Sequence, residues 1–363
     1  MNRIFSRDVP RRTLLQALAA AGCMLLLGAA PVPSAAQGAD AFGDELYAKA
    51  KAAGEKRVSY YTSMVPAQFQ ALSAAWKQRY PEIEIQLVRA DLGQTLERVM
   101  AENRARRNIA DVISSNEASF AVLHKAQMLT QFDVPSRQNW AEPFKSGFNG
   151  FQFPSRILQI GIAYNTSKVK AGDAPRTWKD LTDKRWKGRI GIADPRVGGG
   201  AQLWFMSLWD RPGYGADFFR ALQQNEPLVK PGIVQLQQAV ELGEVDINVV
   251  AYDYVALPAR DAGKPVDFVM PSDGRIIMAT FDSVSRHAPN PNAARLLINF
   301  MMSQEGQEAL AATYVSPVNQ KAQLNPKGVK ADGIPLFASG VSDEQVAKLK
   351  TYIDAINQSF QLR

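Results

Sequence analysis

Apolar and polar residues follow two alternating patterns along the first part of the chain. Short runs with a period of two predict strands, and longer runs with apolar residues three and four apart predict helices. From residue 57 onward the two patterns take turns, predicting strands at 57–62, 83–88 and 110–115 and helices at 66–80, 92–107 and 117–129. Such alternation is typical of a parallel α/β sheet.

The alternation stops in an aromatic and turn-rich stretch at 135–154 and then starts again. Strands are predicted at 188–195, 245–254 and 265–271, with helices at 201–209, 215–224, 233–243 and 255–263. Two longer apolar runs, 157–165 and 275–285, frame this second unit and would connect it to the first. Helices at 291–303, 304–313 and 344–360 complete the pattern.

These elements predict two α/β lobes, each a mainly parallel sheet flanked by helices, with a hinged cleft between them. We assign residues 37–155 and 284–335 to the first lobe and residues 156–283 to the second. The C-terminal segment 336–363 ends in a helix that the sequence assigns to neither lobe.

Residues 1–36 have the features of an export signal: four arginines, an apolar run and small residues at a cleavage site. Arg11 and Arg12 are typical of the twin-arginine route, although an ordinary secretory signal also remains open. Cys23 is not expected to carry a lipid, because the apolar run continues beyond it. We therefore expect a periplasmic protein without a lipid anchor.

Composition excludes several classes of function. The formal charge of +7 falls to +4 once the four arginines and one aspartate of residues 1–36 are set aside, so no nucleic-acid partner is expected. The chain has one cysteine, two histidines, no GxSxG motif and no zinc-binding spacing. We therefore expect a non-enzymatic protein without a cofactor.

Candidate ligand-binding residues lie where predicted strands end and helices begin, because parallel α/β sheets bind ligands at that edge. Hydroxyl groups, glycines and two arginines are found there, as an anionic ligand would require. A flexible turn at the glycines and a solvated pairing of Arg89 with Asp91 are the alternatives. The candidates are Thr62, Ser63, Arg89, Thr95, Ser115, Asn116, Arg156, Gly198, Gly199, Gly200, Ala201, Tyr252, Asp253 and Tyr254.

Three segments resemble one protein family. They are GIAYNTSKV, PRTWKDLTDKRWKGRIGIADPRVGGGAQ and APNPNAARLLINFMMSQEGQEAL. They are similar to the extracellular solute-binding proteins of ABC importers, in the branch with the ferric-iron-binding proteins. The resemblance implies the type II periplasmic-binding-protein fold, a small-molecule ligand, and a membrane permease with its ATPase as partners. We expect a monomer.

The resemblance also raises the question of iron. Iron-binding members carry two adjacent tyrosines where this chain has Asp253 and Tyr254, and a histidine and a glutamate near the positions of Val65 and Asn116. Only Tyr254 matches, and Glu117 stands beside Asn116. Were iron bound, its ligands would be Tyr252, Tyr254 and Glu117.

We expect instead a small organic anion or zwitterion of the carboxylate, phosphonate or phosphate type. Tyr252 or Tyr254 would stack on the ligand or hydrogen-bond to it, and Asp253 would accept a hydrogen bond from its amine or hydroxyl. The loops at Thr62–Ser63 and Gly198–Ala201 would hold its anionic group. On a strand end the two tyrosines would share a face, whereas on a helix they would diverge. A sensory role remains the other alternative.

Overall fold

A computed structural model describes residues 40–360, apart from residues 143, 146–148, 198, 332 and 341 and the side chains of 118, 343 and 346. The predicted export signal, Cys23 and the predicted site residue Gly198 lie outside the described residues. None of the helices in the described part of the chain is long and apolar enough to span a membrane.

The first strand–helix alternation is confirmed. Helix α2 has Pro66 in its first turn, and α3 and α4 begin where the side chains of Asp91 and Asn116 accept backbone N–H bonds from Gln94 and Ser119. The elements are α1 (Ala41–Ala52), β1 (Arg57–Thr62), α2 (Pro66–Arg79), β2 (Glu84–Arg89), α3 (Leu92–Arg104), β3 (Val112–Ser115), α4 (Glu117–Lys125) and β4 (Leu129–Thr130).

The second alternation is framed by two long strands, as predicted. The elements are β5 (Phe153–Asn165), β6 (Ile190–Ala193), α5 (Gly199–Trp209), α6 (Gly215–Gln223), β7 (Leu228–Lys230), α7 (Ile233–Leu242), β8 (Ile247–Tyr252), α8 (Asp253–Asp261), β9 (Val266–Val269) and β10 (Arg275–Ser285). The carboxyl-terminal elements are α9 (Pro291–Met302), α10 (Gln304–Ala311), β11 (Leu336–Ala338), α11 (Asp343–Ala347) and α12 (Leu349–Phe360). The final helix, predicted as one, is interrupted by a turn at Lys348.

Two parallel sets of strands are joined by the two long strands into an eleven-stranded sheet. The order is β2-β1-β3-β10-β5-β8-β6-β7; β4 and β11 also pair with β10, and β9 pairs with β5. Strands β2, β1 and β3 are parallel, as are β8, β6 and β7. Strand β10 is antiparallel to both β3 and β5, and β5 is antiparallel to β8. The predicted crossings therefore form the centre of the sheet.

The described residues contain two large hydrophobic cores. The first core packs α1, α2, α9 and α10 on the strands around β1, with Trp76 and Phe300 in edge-to-face contact at 5.5 Å. The second core surrounds Trp204 and Phe219 and includes Phe360 of α12. Strands β5 and β10 contribute residues to both cores. The C-terminal helix α12 thus packs with the second core, which the sequence left undecided.

Candidate functional site

A cavity of about 260 Å³ lies where three strands of the second set end. Strand β6 ends at Ala193, β7 at Lys230 and β8 at Tyr252, and helices α5, α7 and α8 begin on the same edge. Their first backbone N–H groups have no partner within the helix and give this edge a positive potential. The cavity is lined by Ala193, Asp194, Val197, Gly199, Gly200, Ala201, Pro231, Gly232, Ile233, Val234, Gln235, Tyr252, Tyr254 and Val255.

Tyr252 and Tyr254 stack on each other in the wall of this cavity. Their ring centroids are 5.3 Å apart and the planes are tilted by 28°. Although α8 begins at Asp253, the two rings lie on one face, which is the alternative expected of a strand end. Tyr252 precedes the first helical turn with extended backbone angles, φ −97° and ψ 138°, so only Tyr254 follows the helical direction.

The phenol oxygen of Tyr252 accepts a hydrogen bond from the backbone N–H of Gly200 at 2.9 Å. A Cβ atom at Gly200 would lie 2.5 Å from that oxygen, so the contact requires glycine. Burial raises the pKa of the Tyr252 phenol, and so does the neighbouring Tyr254. Tyr252 is therefore a neutral phenol that caps the start of α5.

Asp253 does not face the cavity. It is only 1% exposed, and its Oδ1 accepts hydrogen bonds from the backbone N–H groups of Gln159 on β5 and of Tyr254. Burial raises its pKa well above the ordinary value of a carboxyl group. The ligand contact predicted for Asp253 is thus at odds with its position, because the first turn of α8 directs the side chain toward the sheet.

Arg89 and Arg156 lie near Tyr254, although they belong to β2 and β5. Burial raises the pKa of the Tyr254 phenol, while the guanidinium groups of Arg156 and Arg89 act to lower it. Arg89 is exposed, and its Nε donates a hydrogen bond to the carbonyl of Met64 at 3.1 Å. Its partner is therefore this carbonyl rather than Asp91, the alternative given by the sequence. The positive charges of both predicted arginines therefore act on Tyr254.

Arg156 is only 3% exposed. Its Nη1 donates to Oε1 of Gln68 at 3.0 Å, whereas its Nε and Nη2 have no hydrogen-bond partner among the described residues. Both nitrogens are buried, and Arg156 is not among the residues that line the cavity. Its charge also acts on the buried carboxyl group of Asp282, where it opposes the rise in pKa that burial causes. Gln68 has no sequence signal that would have singled it out.

Three of the predicted hydroxyl contacts, which lie in β1, α3 and β3, are buried. Thr62, Thr95 and Ser115 are 0–1% exposed. The hydroxyl group of Thr62 accepts hydrogen bonds from Ser114 Oγ at 2.8 Å and from the Met64 backbone at 3.2 Å. The ligand contacts predicted for these three side chains are therefore corrected: Thr62 and Ser115 point into the protein at the ends of β1 and β3, and Thr95 lies on the buried face of α3.

The remaining predicted contacts stay close to accessible space. Ser63 and Asn116 are half-buried, and Asn116 caps α4. Gly199 and Ala201 line the cavity. The sequence missed the segment Pro231–Gln235, because the three-residue strand β7 before it is too short to show alternation.

Asp194 lines the cavity, but its charge is neutralised. Arg196 Nη2 lies 2.7 Å from Asp194 Oδ2. Burial acts to raise the pKa of Asp194, but hydrogen bonds from Arg196 outweigh it and leave the pKa below its ordinary value. An acidic residue in the wall is therefore compatible with an anionic ligand.

Glu117, the third residue named for iron, opens α4. Burial raises the pKa of its carboxyl group to about 7. A Cβ atom at Gly340 would lie 2.2 Å from Glu117 Oε1, so the C-terminal segment lies directly on this carboxyl group. Within the described ranges, no three His, Cys, Asp or Glu side chains are grouped as a metal site.

Residues 107–331 match the family model of bacterial extracellular solute-binding proteins. The match covers more than half of the chain, and the chain therefore belongs to this family. The resemblance inferred from the three sequence segments is confirmed.

Curated relatives match over shorter stretches. An uncharacterized protein of Haemophilus influenzae is 35% identical over 157 residues, which are 41% of this chain and 44% of that protein. The major ferric iron-binding protein of Neisseria meningitidis serogroup A is 26% identical over 172 residues, 46% of this chain and 50% of that protein. The chain spans about half the length of these curated relatives.

Solved structures match over nearly their whole length. The substrate-binding protein of an ABC transporter from Agrobacterium tumefaciens has a TM-score of 0.70 and 18% identity, covering 83% of this chain and 95% of that one. Iron-bound HitA from Pseudomonas aeruginosa has a TM-score of 0.67 and 21% identity, covering 84% and 99%. The periplasmic binding protein AfuA from Actinobacillus pleuropneumoniae, with fructose-6-phosphate bound, has a TM-score of 0.65 and 21% identity, covering 85% and 99%. The predicted two-lobed type II periplasmic-binding-protein fold is confirmed.

Proposed function

We propose that this protein is the periplasmic substrate-binding component of an ABC importer. It captures a small organic anion between two lobes, residues 37–155 with 284–335 and residues 156–283, and delivers it to a membrane permease. The ligand contacts both lobes and stabilises the closed form by its greater affinity for that form. The family, together with the names of the relatives, supports this role.

One observation supports the ligand class: helix starts surround the cavity, and two arginines act on Tyr254 in its wall. The helix starts around the cavity supply backbone N–H groups, and Arg89 and Arg156 act on Tyr254 from the first set of strands and from β5. Oriented N–H groups and guanidinium groups recognise carboxylate, phosphonate and phosphate groups. The aromatic ring of Tyr254 would pack on the organic part of the ligand.

The bound fructose-6-phosphate in AfuA supports a ligand that combines a sugar-sized organic part with a phosphoryl group. The cavity of about 260 Å³ holds only part of such a molecule, since ligand sites commonly measure about 300–1,000 Å³. The remainder would contact Arg89 and Ser63 on the opposite side of the cleft.

Ferric iron is the second candidate, because the names of HitA and of the Neisseria relative refer to it. Ferric iron requires several anionic oxygens. Here the oxygen of Tyr252 already accepts a backbone hydrogen bond, burial raises the pKa of both phenols, and Gly340 covers Glu117. These contacts favour an organic anion over iron.

The test is a thermal-shift screen of the purified protein with inorganic phosphate, hexose phosphates, phosphonates, carboxylates and amino acids, followed by calorimetric titration of each hit. Tyr254→Ala should weaken binding about tenfold, since an aromatic contact contributes about 0.5–1.5 kcal/mol beyond its buried area. Tyr314→Phe is the matched control, because Tyr314 bonds Asp261 and does not line the cavity.

A parallel titration with ferric citrate distinguishes the two candidates. A saturable visible band of tyrosinate bound to iron, lost in Tyr254→Phe, would replace the organic anion with iron as the ligand. An affinity for the organic anion that is the same in Tyr254→Ala and in the Tyr314→Phe control would refute the proposed site.

A further inference from the structure

Residues 336–340 contain strand β11, whose Ala338 lies in the same row of the sheet as Tyr252. Strand β11 pairs with β10 through Ile276 and Ala338, Ile276 pairs with Ile160 of β5, and Ile160 pairs with Tyr252. These residues form one row across four strands. With strands about 4.8 Å apart, Ala338 lies about 14 Å from Tyr252 along that row.

One end of this segment is anchored on the second core. The guanidinium group of Arg211 lies 3.7 Å from the centroid of the Phe337 ring, and its Nη2 donates to the Phe337 carbonyl at 2.9 Å. The ring of Tyr214 meets Phe337 edge-on at 6.0 Å. A Cβ at Gly274 would lie 2.1 Å from the Phe337 ring, so the backbone there is in close contact with it.

The other end lies on α4, beside the first set of strands. Gly340 has φ +141° and lies so close to Glu117 that a Cβ atom would overlap the carboxyl oxygen. Ser115, just before α4, pairs with Phe281 of β10. Five residues, 336–340, therefore connect a position anchored on the second core with the start of α4.

We propose that residues 336–340 form a strap across one end of the cleft, and that the cleft opens fully only when the contact between Gly340 and Glu117 is broken. The hinge passes along β10, between Ile276, which pairs with Ala338, and Phe281, which pairs with Ser115. Bending of β10 there moves the two ends of the strap apart. From Ala338 to Gly340 the chain spans at most about 7 Å, so the strap has little slack.

The strap does not depend on which ligand is bound, and it is tested on the ligand-free chain. Cys23, the single cysteine of the sequence, is replaced by Ser, and spin labels are placed on Val122→Cys in α4 and Leu242→Cys at the end of α7, both exposed positions. Pulsed electron paramagnetic resonance then measures the distance distribution between α4 and the second core.

Two variants release the strap from opposite ends: Phe337→Ala removes the anchor, and Gly340→Leu forces the backbone away from Glu117. The matched control is Gly263→Leu, which also has positive φ (+79°) but nothing within 4 Å. We expect a longer and broader distance distribution in both strap variants and an unchanged one in the control. If Phe337→Ala, with its fold verified by circular dichroism, gives the same distribution as the control, the strap is refuted. A failure to bind any organic anion would leave this measurement unaffected.

Discussion

Gly200→Ala tests the packing at the start of α5. The new Cβ would lie 2.5 Å from the Tyr252 oxygen and 2.8 Å from the adjacent ring carbon. The ring cannot move away freely, because Tyr252 is 7% exposed and stacks on Tyr254. Either the ring or the helix start must therefore shift, and the hydrogen bond from Gly200 to Tyr252 is lost.

The expected loss follows from three contributions. Overpacking of a buried site costs about 1–3 kcal/mol. The lost hydrogen bond adds about 0.5–1.5 kcal/mol. Alanine recovers up to about 1 kcal/mol over glycine in a helix. Gly200→Ala should therefore lower the free energy of unfolding by about 2 kcal/mol. Gly172→Ala, with nothing within 4 Å of its Cβ, should change it by less than about 0.5 kcal/mol.

Urea unfolding followed by circular dichroism measures both variants. In the Tyr252→Ala background the Gly200→Ala penalty should disappear, because the ring that the Cβ meets is absent. The double-mutant cycle should thus give a coupling free energy of about 1–3 kcal/mol between the two positions. Additive losses, or a Gly200→Ala protein as stable as the Gly172→Ala control, would refute the described contact.

Three further predictions concern stability. Gly306→Ala should cost about 3 kcal/mol, because its Cβ would lie 2.0 Å from the backbone carbonyl oxygen of Phe300; a urea curve matching the parent would contradict this. Asp111→Asn should lower the free energy of unfolding by about 1–3 kcal/mol. Asp111 Oδ1 accepts from the Asn290 backbone N–H at 2.7 Å and Oδ2 accepts from Asn290 Nδ2 at 3.0 Å, so the new NH2 group would face one of these two donors. An unchanged urea unfolding curve would contradict this prediction. Burial raises the pKa of Glu117 from 4.5 to about 7, so folding takes up a proton in this window and the parent chain loses stability as pH rises through it. Glu117→Gln should remove that loss, and parallel pH profiles of urea unfolding for parent and variant would count against it.

Much of the fold could be predicted because its long elements bury one face regularly. Strands β1 and β10 have the predicted bounds, and the predicted starts of α2, α3 and α9 are also correct. The two-residue β4 and the three-residue β7 and β11 were not predicted, since alternation needs at least four residues to be recognised. Helix α1 was also missed.

The candidate site was predicted at the level of loops and less well at the level of side chains. Tyr252, Tyr254, Gly199, Gly200 and Ala201 line the cavity, as expected of residues at strand ends. Other predicted residues of the same loops do not face the cavity, because a single backbone turn decides whether a side chain faces the cavity or the sheet. Asp253 and Thr62 were expected beside a ligand and are instead buried.

The sequence by itself determined the α/β class, the two long crossing strands and the edge at which a ligand is expected, because these depend on local periodicity and chain order. Only the tertiary structure decided which distant groups meet there. No local pattern relates the residues that meet: Tyr252 accepts a hydrogen bond from Gly200, Arg156 acts on Tyr254, and Gly340 contacts Glu117. Such contacts depend on strand register and on how far each side chain reaches, and both are fixed when the sheet and its helices pack.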